Sequence, residues 1–145
     1  MKYIKTYENL VTSFGDLEII LLNKGGERVV NREEIDLVKL VRSGKFYEPK
    51  ELDEYILHPL RACQCHYNAC AYYDTFIKTS SNSEEEINIS TGWALSDDGL
   101  WRQHSWIYFP IKNSILETTV ERVMYYGILL EGQSHCDFVS CNDYW

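Results

Sequence analysis

Apolar and polar positions divide the chain into two stretches of different rhythm. In the first, Ile35, Val38 and Val41 recur at helical spacing after Asn31 and Glu34, a pair that fits a capping box, and Gly44 supplies a stop. Pro49 opens a second short helix that runs to about Leu57, ahead of Pro59. Asp16–Leu22 is apolar enough for a strand or a buried helix, and its periodicity fits both. Cys65–Ile77 is the clearest helix, because Cys65, Ala69, Tyr72 and Phe76 fall on one face. The polar run Lys78–Glu86 (KTSSNSEEE) then reads as a solvated loop.

The second stretch is β-like. Ile87–Leu95 alternates loosely, Asp97-Asp98-Gly99 marks a turn, and His104–Phe109 (HSWIYF) is rich in aromatic and branched residues. Pro110–Asn113 interrupts it, and Ile115–Thr119 and Tyr125–Leu130 supply two more strands. A helix followed by adjacent strands is an α+β pattern, unlike the alternation of a parallel α/β sheet. The expected organisation is one domain over 1–145, with a helical lead-in over 1–60 and a helix-plus-sheet unit over 61–145.

Composition narrows the function. A hydrophobic fraction of 45% provides for a packed core, and a net charge of −8 argues against binding nucleic acid along its phosphates. No apolar run is long enough to span a membrane, and Met1–Leu10 has no signal-peptide character, so the expected location is the cytoplasm. The five cysteines are then expected as thiols, and an odd number cannot all pair within one chain.

One thiol stands where chemistry is favoured. Cys65 begins the predicted helix, where unpaired amides and the positive end of the dipole stabilise thiolate. On its own, such a Cys is as a rule a small buried hydrophobe. Alternation along the strand puts His104, Trp106 and Tyr108 on one face and Ser105, Ile107 and Phe109 on the other. A hairpin centred on Pro110–Ile111 sets His104 across from Glu117, with Cβ atoms about 5 Å apart. A carboxylate there fixes the imidazole tautomer and leaves the second nitrogen to take a proton from sulfur. A slip of one residue would turn Glu117 to the opposite face.

The order of these residues resembles the papain-like superfamily, and its transglutaminase-like domains in particular. The motifs are Cys65-His66-Tyr67-Asn68-Ala69, then His104-Ser105-Trp106, Glu117-Thr118-Thr119 and Tyr125-Tyr126-Gly127, across roughly Gln64–Leu130. Glu stands where the family more often has Asp, and Ser where it has Ala after the His. The resemblance implies a nucleophile helix packed on an antiparallel sheet, with Cys65 as nucleophile, His104 as base and Glu117 as orienter. It implies acyl transfer on a peptide or carboxamide substrate, by hydrolysis or to an amine, without a cofactor. Gln64 becomes a candidate for the oxyanion site and Asn68 for orienting the thiol or a substrate carbonyl, with helix capping or packing an equal alternative for Asn68. Gln103 is no better supported than Gln64, and Trp101 and Arg102, just before His104, are candidates for the site rim.

Two other readings compete. Cys63, Cys65, His66 and Cys70, with His135, Cys136 and Cys141, could supply four zinc ligands, although the spacings lack paired Cys-x-x-Cys knuckles. Trp93, Trp101, Trp106 and Tyr108 could line an aromatic groove in a non-catalytic binding module, where core packing is the commoner role.

Overall fold

The computed structural model describes residues 12–80 and 85–142. The fold is α+β. Helix α1 (Phe14–Lys24) is followed by β1 (Arg28–Val29), α2 (Leu37–Ser43), β2 (Lys45–Tyr47), a 3-10 turn (Pro49–Glu51) and β3 (Glu54–Leu57). Then come α3 (Cys65–Thr79), β4 (Asn88–Leu95), β5 (Leu100–Phe109), β6 (Ser114–Glu117), β7 (Met124–Leu129) and α4 (Gly132–Cys141).

The ambiguous segment Asp16–Leu22 is helical. Leu17 and Leu21, one turn apart, are fully buried, and the Asp16 carboxylate accepts the Ser13 N–H at 2.8 Å to close the helix start. The expected box at Asn31 and Glu34 does not form. Helix α2 begins at Leu37 behind Asp36, and Glu34 instead accepts the Trp93 and Gln103 side chains. Gly44 ends α2 as expected.

The lead-in is not purely helical, because residues 28–57 contribute three strands. Pro49 starts only one 3-10 turn, and Glu54–Leu57 runs parallel to Ser114–Glu117. Pairing with β6 overrides the local helical signal there. The sheet is therefore mixed rather than antiparallel: its order is β2-β7-β4-β5-β6-β3, with β1 parallel to the start of β5. The polar run after α3 is shorter than expected, since the helix continues to Thr79, and residues 81–84 fall outside the described residues, as does 1–11.

The two faces of the sheet carry different loads. On one, α1 and α2 cover Trp93, Trp101 and Tyr126, while α3 and α4 cover Ile89, Ile107 and Phe109. The other face packs Ala94, Trp106, Tyr108, Ile115 and Tyr125 beneath Tyr47, Leu52 and Tyr55. All three tryptophans named for an aromatic groove are fully buried, and Tyr108 is nearly so; they are core.

Strand β5 positions the site. Strand β4 pairs along one edge, while the outer edge holds β1 at Leu100–Trp101 and β6 at Ile107–Phe109. Residues 102–106 are left between those two partners, and α3 begins beside them. Among the described residues, no helix is long and apolar enough to cross a membrane.

Candidate active site

Cys65 is the first residue of α3, so its N–H lies outside the helix's own ladder, whose first bond runs from Asn68 N to Gln64 O at 2.8 Å. Its side chain is half-buried. Burial alone would raise the thiol, but hydrogen bonding and charge from His104 and His66 outweigh it and bring the pKa down to about 5. By contrast, burial pushes the Cys70 thiol up to about 11.

His104 is 2% exposed, and its Nε2 bonds Glu117 Oε1 at 2.8 Å. That bond leaves Nδ1 for the sulfur. The imidazole lies near-parallel to Trp106, with centroids 6.1 Å apart. Gly127 makes room for this stack: a Cβ there would fall 2.5 Å from Trp106 Cη2. Burial depresses the His104 pKa, but Cys65 and Glu117 raise it by more, so the net direction is upward.

Glu117 is completely buried and fully engaged. Oε1 accepts from His104 and from Tyr125 Oη at 2.7 Å; Oε2 accepts the Thr119 N–H at 2.9 Å and the Thr119 hydroxyl at 2.8 Å. Arg122 Nε lies 3.9 Å from Oε1, and its guanidinium also donates to Thr119 Oγ1 and Ser96 Oγ. Burial would raise this carboxyl, yet the His104 and Tyr125 contacts and the Thr119 amide hold it below the usual range. A carboxylate with this many donors stays ionised and fixes His104 with its proton on Nε2.

The remaining sequence candidates are placed elsewhere. Asn68 is buried, with Oδ1 accepting the Arg61 N–H at 3.2 Å and Nδ2 donating to Arg61 O at 2.7 Å and Thr118 O at 3.4 Å. Its amide ties two loops together and is not available to a substrate. Trp101 is fully buried, with Nε1 donating to Gly25 O at 2.9 Å, so it belongs to the core and not to a rim. Arg102 pairs with Asp98 at 2.7 Å, and Gln103 donates to Glu34 and Glu33. Gln64 is exposed at the helix start, beside Cys65.

Tyr125, which the sequence offers only as part of a motif, joins the site together with Arg122 and Tyr55. The Tyr125 hydroxyl lies 2.7 Å from Tyr55 Oη, which accepts the Arg122 N–H at 2.9 Å. Alternation along Tyr125–Leu129 could have shown Tyr125 sharing the Gly127 side of its strand. Nothing local marks Tyr55, which arrives through the parallel pairing of β3 with β6.

Among the described residues, no group of three or more His, Cys, Asp or Glu side chains is arranged to hold a metal ion. Cys63, Cys136 and Cys141 are exposed, and His135 packs on Tyr73 with centroids 4.5 Å apart. Compared with known proteins, the chain matches no family model, no curated protein and no solved structure.

Proposed function

We propose that this protein is a thiol acyltransferase or hydrolase with a papain-like core, acting on a peptide or carboxamide through Cys65, His104 and Glu117. The observation that carries this reading is the buried His104–Glu117 pair, with one imidazole nitrogen bound to the carboxylate and the other left for a half-buried thiol at a helix start. A lowered thiol beside a raised imidazole favours a thiolate–imidazolium resting state.

The thiolate attacks the carbonyl carbon and forms a C–S bond. The oxyanion that develops lies near the Cys65 N–H and the dipole of α3. His104 gives its proton to the departing nitrogen, the C–N bond breaks, and a thioester remains on Cys65. Water or an amine then attacks that carbonyl, loses a proton to a base, and the C–S bond breaks to restore the thiolate. The substrates are peptides or proteins.

The test is incubation of the protein with a peptide library in isotopically labelled water containing a primary amine. Hydrolysis puts labelled oxygen in the new carboxylate; transfer joins the amine instead. Products that survive Cys65→Ser or His104→Ala unchanged would rule the triad out.

A further inference from the structure

Cys65 has a second imidazole neighbour outside the triad, which also helps to lower its thiol. His66 follows it on α3 and points to the opposite sheet face from His104, where its Nδ1 meets Ser105 Oγ at 2.6 Å. The Ser105 hydroxyl donates in turn to Thr91 Oγ1 at 2.9 Å. Because the only Ser105 proton is committed to Thr91, Ser105 accepts from His66, which fixes the proton of neutral His66 on Nδ1. In the neutral ring Nε2 carries a lone pair, the state that suits the thioester, where the sulfur is no longer a thiolate to attract the ring's charge. His66 also lines a cleft of about 360 Å³ with Glu34, Ile35, Gln103, Asp137 and Phe138, and its ring stands edge-on to Phe138 at 5.6 Å. Ile35, at the cleft, is 88% exposed.

We propose that His66 is a second catalytic base, which takes the proton from the water or amine that enters through this cleft and attacks the Cys65 thioester. This inference rests on the acyl-transfer reading above and divides its two half-reactions. In the first, His104 protonates the leaving nitrogen and becomes neutral. In the second, the acceptor forms its bond to the thioester carbon and passes a proton to His66 Nε2, and the C–S bond breaks with its electron pair returning to sulfur. The proton on His66 then leaves to solvent through the cleft, while His104 is reprotonated for the next cycle. The two histidines suit these tasks because their tautomers are fixed by different partners, Glu117 for one and Ser105 for the other.

The experiment follows p-nitrophenyl acetate turnover before and during the steady state, with mass spectrometry of the acetylated protein. Wild type is expected to release a burst of nitrophenolate, carry acetyl on Cys65, and then turn over steadily. In His66→Gln the burst should persist and kcat/KM should fall by less than about 10-fold, from the lost contact to the thiol, while kcat falls on the order of 10²-fold and acetyl-Cys65 accumulates. Imidazole added to the solution should restore much of kcat. Ser105→Ala, which frees the tautomer but keeps the base, should slow the same step by roughly 10-fold without losing the burst. The inference is overturned if kcat and kcat/KM fall together in His66→Gln without imidazole rescue, or if both are unchanged. Absence of acetyl-Cys65 in wild type would instead overturn the triad itself, so the two failures are distinguishable.

Discussion

His104 and Glu117 meet at 2.8 Å without being paired across the sheet. The ladder of β5 and β6 pairs Ile107 with Leu116 and Phe109 with Ser114, so its register runs two residues away from one that would set His104 opposite Glu117. The contact is diagonal, and it survives because a shift of two keeps both side chains on the same face.

Replacing the acid tests what that contact does. Glu117→Gln is expected to lower kcat on any accepted substrate by roughly 10²- to 10⁴-fold, because an amide can no longer hold the imidazolium. Its stability effect should depend on pH in one direction. The folded carboxyl lies below its ordinary value of 4.5, so its contribution is full above that value and is lost as pH falls through the lowered one. Thermal melts across pH should show a gap between wild type and Glu117→Gln that is widest where Glu117 is ionised and His104 charged, and that narrows as pH falls below 4.5. A gap that widens in acid would contradict the assignment.

Cys65 should react ahead of the other thiols. At a pH near 6 its thiolate predominates, given a pKa of about 5, whereas Cys70 sits at about 11 and is buried. Iodoacetamide labelling followed by peptide mapping should find Cys65 modified first, and His104→Ala should move its reactivity to higher pH. Preferential labelling of exposed Cys63, Cys136 or Cys141 would count against the nucleophile.

The fate of the protein without that sulfur separates catalysis from metal binding. Cys65→Ala removes one half-buried atom and should cost at most about 1–2 kcal/mol, with a chelator leaving the melts of both proteins unchanged. A chelator-sensitive wild type and a collapsed variant would point to structural zinc.

Tyr125→Phe tests the far side of the carboxylate. The change removes one of the donors to Glu117 Oε1 and leaves Tyr55 Oη without that partner, at a cost of about 1–3 kcal/mol. Urea denaturation measures the loss. Activity should fall less than in Glu117→Gln, since Thr119 still holds Oε2.

The parts of the site that were legible in the sequence rest on period and on order. Helical spacing after Cys65 and alternation from His104 require only local pattern, and both elements form, the helix running on to Thr79 and the strand starting earlier, at Leu100. The register was not legible, because it depends on the turn: Asn113 adopts φ 48 and its N–H reaches Pro110 O at 3.3 Å, which centres the hairpin one position later than Pro110–Ile111. Strands β1, β2 and β3 were missed because they are two to four residues long and owe their form to β5, β7 and β6, far away in sequence. Proximity along the chain suggests Asn68 and Trp101 for the substrate, each three residues from Cys65 or His104. Their side chains turn inward, one to loop carbonyls and one to the core.

The segment that leads to the nucleophile is fastened to the segment that carries the acid. His58 N–H donates to Glu117 O and Leu60 N–H to Thr118 O, each at 2.8 Å, and the Asn68 amide bridges Arg61 and Thr118 just beyond. Thermal motion that displaces the start of α3 therefore drags the Glu117 strand end along with it. Sulfur and carboxylate thus share one mechanical frame, because the turn that enters α3 hangs from the strand end that carries Glu117.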